Sequence, residues 1–182
     1  DDLIIAATMK DLTANGYLTP LRIFASSHPD LTGVKTVAGD YHEGQLADAM
    51  ERNGLTADIV STWLKHGEGR PTICFAVNRA HANHLQLEFS KNGINSGYVD
   101  ANTEAVERAQ IAEQFKNGEI KVVCNVGVLT TGIDWDVRCI IMARPTKSEM
   151  LFVQCIGRGT RLANGKDDCI LLDHADNCLR LG

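Results

Sequence analysis

The chain has 182 residues, 44% of them hydrophobic, so it is long enough to bury the core of one ordinary domain. Its formal net charge of −5 excludes the broad basic surface with which a small protein grips nucleic acid unaided. No apolar stretch approaches the roughly 20 residues that span a bilayer, and the N-terminus lacks the layout of a signal peptide. We therefore expect a soluble, cytoplasmic protein with no membrane partner, in which any nucleic-acid contact is local or shared.

The first 70 residues are mostly helical in pattern. Apolar spacing predicts a helix in "DLIIAATMKDLTANG", a turn in "GYLTP" and a short strand in "LRIFASS". Residues 28–44 are polar and Gly-rich, and we predict that they form a loop. Two further helices are predicted in "GQLADAMERN" and "ADIVSTWLKHG", and the second ends in a Gly-rich stop before Pro71.

From Pro71 onward, predicted strands and helices alternate. The strands are "TICFAV", "SGYVDA", "IKVVCNV", "RCIIMAR" and "DCILLDHA". The helices between them are "RAHANHLQLEFSKNG", "EAVERAQIAEQFKNG", which we expect Thr103 to cap, and "SEMLFVQCIGRG". Such alternation implies right-handed βαβ crossovers, and hence an α/β fold with a parallel sheet and helices on both faces.

Ligands of open parallel sheets bind at the carboxyl ends of the strands, so we expect functional residues there. The loops concerned follow Val77, Asp100, Val126, Arg144 and His174.

The six cysteines indicate packing rather than metal or disulfide chemistry. They are Cys74, Cys124, Cys139, Cys155, Cys169 and Cys178. None forms a C-x-x-C pair, and most lie in apolar runs, where a free thiol behaves as a small hydrophobic side chain. We predict no metal site, because neither of two candidate ligand sets has the spacing of a four-ligand zinc site. The sets are His81 with His84, and Cys169 with His174 and Cys178.

The stretch "QCIGRGTRL", residues 154–162, places two arginines three residues apart. On a helix, Gln154, Arg158 and Arg161 would fall at i, i+4 and i+7 and share one face. Paired guanidiniums suit a phosphate chain, because each can donate two charge-assisted hydrogen bonds and neither loses its proton. A solvated basic face or a salt-bridge pair is the alternative. Gly157 and Gly159 weigh against it, since glycine costs about 1 kcal/mol inside a helix and marks close backbone approach.

The loop "NVGVLTTGID", residues 125–134, follows a predicted strand. A Gly-rich loop at a strand end can turn backbone amides toward an anion, and an aspartate after it can accept a hydrogen bond from a sugar hydroxyl. Gly132 would allow the close approach, and Asp134 would accept from the hydroxyl. An ordinary turn in which Asp134 is a cap is the alternative.

These segments together resemble a known family. "TTGID", followed about 20 residues later by "QCIGRGTR", resembles motifs V and VI of the superfamily 2 helicases, and "PTICFAVNRAHANHL" resembles their motif IV. "GKDDCILLDHADN" and "NGYLTP" resemble a bacterial and phage group of DEAD/DEAH-box DNA helicases that includes DNA-repair and type I restriction-like translocases. The similarity covers residues 70–178.

The resemblance implies the C-terminal of two RecA-like lobes, with the three-layer α/β/α fold of P-loop NTPases. Residues 1–182 would be a single domain cut from a longer chain, with 1–69 as its N-terminal helical and loop portion and 70–178 as the core of motifs IV to VI. The sequence has no G-x-x-x-x-G-K-[ST] and no D-E-x-D or D-E-x-H. ATP and Mg²⁺ would therefore be held by the N-terminal lobe of the same protein, and this fragment alone should not hydrolyse ATP.

The resemblance also implies roles for individual residues. Arg161 matches the arginine finger, Arg158 matches the other motif VI arginine on the terminal phosphate, and Gln154 matches the residue that ties the motif to the nucleotide and the facing lobe. The expected nucleotide-binding residues are Gly132, Asp134 and Gly157. The expected nucleic-acid-binding residues are Asn78, Arg79, Asn125 and Thr130, although Thr130 departs from the family's usual residue.

Three functional readings follow. The first is the second motor lobe of an ATP-dependent DNA helicase or translocase, with DNA as the favoured partner because of the "GKDDCILLDHADN" segment. The second is the same lobe of an RNA helicase. The third is a non-catalytic RecA-like module that binds nucleic acid or protein. Residues 17–70 have no assigned function, and either contact DNA as an insertion or complete the packing of the lobe.

Overall fold

The computed structural model describes residues 7–25, 27–52, 55–130 and 134–182. The helices are α1 (Met9–Ala14), α2 (Glu43–Arg52), α3 (Leu55–His66), α4 (Arg79–Lys91), α5 (Ala105–Lys116), α6 (Glu149–Ile156) and α7 (Asn177–Leu181). The strands are β1 (Leu21–Phe24), β2 (Thr36–Val37), β3 (Asp40–Tyr41), β4 (Thr72–Phe75), β5 (Ser96–Val99), β6 (Val122–Asn125), β7 (Cys139–Met142) and β8 (Cys169–Asp173). Within these ranges, no helix combines the length and the apolar character needed to cross a lipid bilayer.

Six strands form one parallel sheet in the order β1-β8-β7-β4-β6-β5. The predicted parallel sheet is therefore confirmed. Because all six strands point the same way, the sheet has a carboxyl edge, where the strands end, and an amino edge, where they begin. The positions of the candidate residues are described below relative to these two edges.

The sheet is covered on both faces, as the buried strands require. Along β4, Ile73 and Phe75 pack into one apolar cluster, which includes Phe152 of α6. Cys74, between them, packs into the opposite cluster with Phe89 of α4. Successive residues of a strand point to opposite faces. The alternation along β4 therefore produces the predicted three-layer α/β/α arrangement, with α3 and α4 on one face and α5 and α6 on the other.

Short polar side chains start two of the helices that follow strands. Asn78 caps α4, because its Oδ1 accepts a hydrogen bond from the His81 backbone N–H at 2.9 Å. Ser148 caps α6 in the same way. The prediction that Thr103 caps α5 is wrong. The cap residue is Glu104, and the Thr103 hydroxyl instead accepts from the Asp100 N–H at 2.9 Å, within a turn organised by the Asp100 carboxylate.

The N-terminal portion differs from its prediction in two places. The helix expected over residues 2–16 is described from Met9 to Ala14, and residues 1–6 lie outside the described part of the chain. The loop expected over residues 28–44 contains the hairpin of β2 and β3. Its two-residue turn has positive φ at both Ala38 (50°) and Gly39 (86°), as the favoured hairpin turns require. Alanine is uncommon at such a position, so the sequence contains no clear signal for this turn.

Candidate functional site

The two motif VI arginines lie beyond the helix on which they were predicted. Helix α6 ends at Ile156, with Gly157 as its cap. The chain then tightens, because the N–H groups of Arg158 and Gly159 bond to carbonyls three residues back, at 3.2 and 2.9 Å. Residues 157–166, called here the arginine loop, therefore carry both guanidiniums, and the single helical face expected for all three motif residues is not formed.

The arginine loop lies at the amino edge of the sheet. Helix α6 starts after β7 at the carboxyl edge and runs back across the sheet, and its 8 residues advance about 12 Å. The loop then contacts segments that precede strands. The Thr19 N–H, just before β1, donates to Thr160 O at 2.7 Å, and Arg138, just before β7, donates to Gly165 O at 2.7 Å. The arginines are thus at the opposite edge from the one where functional residues were expected.

The second glycine of the motif allows the loop to pack directly on the sheet. A Cβ on Gly159 would collide with Cys169 Sγ and would lie 2.8 Å from Ile140 Cδ1. The expectation that this glycine marks a close backbone approach is therefore confirmed. A Cβ on Gly157 would lie 2.9 Å from Val153 O, within the last turn of α6.

The structure brings Arg161 close to Asp134, although they come from two separate motifs, and Arg158 close enough to Arg161 for their charges to interact. Arg161 Nη1 lies 3.3 Å from Asp134 Oδ1. The pKa of Arg158 is lowered, first by burial and second by the positive charge of Arg161. Gln154, one turn earlier on α6, is half-buried. Gly132 lies outside the described residues.

A small cleft of about 220 Å³ adjoins these groups. Its lining residues are Asp134, Trp135, Asp136, Arg161, Leu162, Ala163 and Lys166. Asp134 is fully exposed, and the Arg161 side chain is 42% exposed, so both can reach a bound molecule. The cleft is smaller than most ligand pockets, which occupy about 300–1,000 Å³.

A second candidate surface lies at the carboxyl edge. A groove of about 450 Å³ runs beside Asn78 and Arg79 at the start of α4 and Asp100 after β5. Arg79 is exposed, and its Nε lies 2.8 Å from Asp100 Oδ2. Burial opposes ionisation of Asp100, but hydrogen bonds from the Tyr98 hydroxyl and from backbone N–H groups lower its pKa below the usual value. Arg79 therefore has an ionised partner that a phosphate would have to replace.

Two predicted nucleic-acid contacts are enclosed within the fold. Asn125 is fully buried; its Nδ2 donates to Cys74 O at 3.0 Å, and its Oδ1 accepts from the Leu129 N–H at 3.3 Å. Thr130 is 7% exposed, and its hydroxyl donates to Gly127 O. Both side chains bond to backbone groups and hold the loop after β6. Their placement corrects the expectation that they face a bound strand.

Two residues whose side chains bond to the backbone of the arginine loop, one before β1 and one at the end of the loop itself, were not identified from the sequence. Thr19 and Lys166 donate hydrogen bonds to its carbonyls. Their segments, "NGYLTP" and "GKDD", were recognised as similar to the family without a role. Among the described residues, no cluster of three His, Cys, Asp or Glu side chains could hold a metal ion.

Comparison with known proteins places this geometry in a family. Residues 55–163 match the model of the helicase conserved C-terminal domain. IRC3 of Saccharomyces cerevisiae, a candidate ATP-dependent helicase, is 39% identical over 148 residues, which are 79% of this chain and 22% of IRC3. A 51.5 kDa protein of a Lactococcus phage is 32% identical over 178 residues, covering 97% of this chain and 39% of the phage protein. The chain thus spans well under half the length of these relatives.

A solved structure shows the same fold. A fragment of a candidate HsdR subunit of a type I restriction enzyme from Vibrio vulnificus superposes with a TM-score of 0.72 at 20% identity, covering 94% of this chain and 35% of that one. At this identity the likeness concerns the fold alone. Together with the matched residues and the six-stranded parallel sheet, it confirms the resemblance first seen in three short motifs: the chain belongs to the helicase conserved C-terminal domain family, the RecA-like C-terminal lobe of superfamily 2 helicases.

Proposed function

We propose that this chain is the second motor lobe of an ATP-dependent DNA helicase or translocase. In this role it supplies Arg161 and Arg158 to an ATP molecule held on the N-terminal lobe of the same protein, and it contacts the backbone of the nucleic acid. The whole protein would be the enzyme, and this lobe alone would be inactive.

One observation carries the proposal: two guanidiniums are held together on a loop packed against the sheet. Burial and the neighbouring positive charge of Arg161 both lower the pKa of Arg158. An anion bound beside the two guanidiniums would interact favourably with both positive charges. Because the cleft beside them is only about 220 Å³, the anion would be bound partly by another surface, as in a site closed by two lobes.

The residues of this chain fit the triphosphate of a nucleotide. Arg161 would donate to the terminal phosphate and neutralise the charge that develops during phosphoryl transfer, a contribution typically worth about 10³ to 10⁵ in rate. Arg158 would contact the same phosphate from the inner side of the loop. Asp134, fully exposed, would accept from a ribose hydroxyl. Mg²⁺, held with ATP on the other lobe, would supply further charge neutralisation there.

The geometry also supports a coupling between hydrolysis and movement. The arginines and the phosphate-holding groups would be on different lobes, so hydrolysis would require the lobes to close. Asn78 and Arg79 lie at the opposite edge of the sheet, beside the groove of about 450 Å³. Contacts of this groove with backbone phosphates would let closure at one edge displace a strand at the other.

The proposal is tested by phosphate release from the full-length protein, with single-stranded DNA, duplex DNA or RNA added separately. Arg161→Ala should reduce DNA-stimulated turnover by about 10³-fold while changing ATP affinity only a few-fold. Arg52→Ala, an exposed arginine of α2, is the matched control and should retain full turnover. If RNA stimulates turnover and neither form of DNA does, the nucleic-acid partner is RNA and not DNA. Turnover that survives Arg161→Ala would show that Arg161 is not an arginine finger, and absence of turnover in the wild type would favour the non-catalytic binding module.

A further inference from the structure

The backbone of the arginine loop is held by hydrogen bonds that come from outside motif VI. Three consecutive carbonyls, those of Gly159, Thr160 and Arg161, accept bonds from Thr19 and Lys166. Carbonyls that follow the end of a helix have no partner within it, and here they are bonded by distant or later residues. The N–H groups at the start of the loop bond to carbonyls of α6, whereas the next three carbonyls of the loop are held by Thr19 and Lys166.

Thr19 holds the loop from the segment before β1. Its backbone N–H donates to Thr160 O at 2.7 Å, and its hydroxyl donates to Arg161 O at 3.0 Å. The residue is 2% exposed, so these bonds are shielded from water. A residue 142 positions away in the chain thus fixes the peptide of the proposed finger.

Lys166 also bonds to the Arg161 carbonyl. Its Nζ donates to Gly159 O at 2.6 Å and to Arg161 O at 2.9 Å. Partial burial lowers the pKa of this ammonium group. Partly burying an ammonium group costs free energy, and here the group forms hydrogen bonds with two loop carbonyls. This arrangement suits a role in fixing the loop.

We propose that Thr19 and Lys166 are positioning residues for the arginine finger: by both donating to the Arg161 carbonyl, they fix the point from which its guanidinium reaches the terminal phosphate. This inference rests on the proposed function. The Arg161 backbone is fixed while its side chain remains 42% exposed, an arrangement that preorganises the charge without burying it. A displacement of about 1 Å at such a group can cost about 10²-fold in rate.

The test uses the full-length protein with saturating DNA and compares Lys166→Met and Thr19→Val with wild type. Each variant keeps the approximate shape of the side chain and removes the hydrogen bonds that this side chain donates to the loop. The backbone N–H of residue 19 keeps its bond to Thr160 O. We expect kcat to fall about 10-fold to 10²-fold while KM for ATP changes less than about threefold. Thr19→Ser should restore most of kcat because it restores the hydroxyl. Lys91→Met and Thr32→Val, both exposed, are matched controls.

A double-variant comparison separates positioning from general stability. If Lys166 acts through Arg161, Lys166→Met should cost nothing more in an Arg161→Ala background. Equal losses in both backgrounds would overturn the proposal, as would an unchanged kcat in the folded single variants. If Lys166→Met folds poorly, Thr19→Val applies the same comparison. If Arg161→Ala itself leaves turnover intact, the proposed function fails, and the positioning role fails with it.

Discussion

Arg161 and Asp134 lie 3.3 Å apart, guanidinium to carboxylate, at the amino edge of the sheet. They belong to two motifs and lie 27 positions apart in the chain, with strand β7 between them. Both side chains are open to solvent, and ion pairs between exposed groups add little to stability. The ion pair therefore contributes little to the stability of the fold, and under the proposed function both side chains would contact the nucleotide.

Asp134→Ala should weaken ATP use without weakening the fold. Removing the proposed acceptor for a ribose hydroxyl should raise KM for ATP about tenfold, the usual effect of losing one charged hydrogen bond. The melting temperature should stay unchanged, because the carboxylate is fully exposed. Steady-state kinetics of the full-length protein and a melting curve provide the two measurements, with Asp48→Ala as the control. An unchanged KM would remove Asp134 from the site.

Arg79→Ala should weaken nucleic-acid binding through the loss of one phosphate contact. The slope of log affinity against log salt should become shallower by about one for duplex DNA, regardless of sequence. Fluorescence anisotropy at several salt concentrations measures this slope, and Arg52→Ala is the matched control. Identical slopes for Arg79→Ala and wild type would show that Asp100 keeps Arg79 paired in the complex.

Asn125→Ala should act on the fold and not on binding. The substitution leaves the carbonyl of Cys74 and the N–H of Leu129 without their bonds to this amide. We expect a loss of about 2–3 kcal/mol in the free energy of unfolding, measured by urea denaturation. Asn117→Ala, at the exposed end of α5, should cost much less. A stable variant with weakened nucleic-acid binding would restore the original assignment of Asn125.

Alanine substitutions at two glycines should have opposite signs. Gly159→Ala should destabilise the protein by about 1–3 kcal/mol, because its Cβ would collide with Cys169 and Ile140. Gly44→Ala should be neutral or stabilising by up to about 1 kcal/mol, since Gly44 lies in α2 and its nearest neighbour is 3.5 Å away. Thermal melting of the two variants compares them directly. Equal effects would show that the loop does not pack closely on the sheet.

Stability should fall as the pH drops below neutrality. Burial lowers the pKa of His81 and of His174 to about 4, well below the 6.5 of an exposed histidine. Between pH 6.5 and pH 4 the two histidines bind protons in the unfolded chain but not in the folded chain. Their contribution to the free energy of unfolding is therefore fully present above pH 6.5 and is lost as the pH falls toward 4. Between pH 7 and pH 5 each histidine should cost about 2 kcal/mol. Urea midpoints across this range measure the loss, and His174→Gln should reduce it; a flat profile would contradict both assignments.

The sequence predicted the βα series well because its signals are local. Buried strands such as "TICFAV" and the periodic helix between them depend on nearby residues, and both formed as expected. The failures occurred where a remote or competing contact decides. The Thr103 hydroxyl accepts a hydrogen bond from the Asp100 N–H and therefore does not cap α5. Ala38 adopts a positive φ, which a residue with a side chain does not favour.

The order and spacing of the motifs in the sequence by themselves determined the family, the parallel α/β fold and the identity of the candidate residues. A family signature and a hydrophobic period are both properties of residues close together in the chain. Only the tertiary structure decided where those residues lie: the arginines beyond α6 and at the amino edge, Asn125 inside the fold, and Thr19 against Arg161 from 142 positions away. Such placements depend on which distant backbone groups find partners after the sheet has formed, and the chain order does not contain that information.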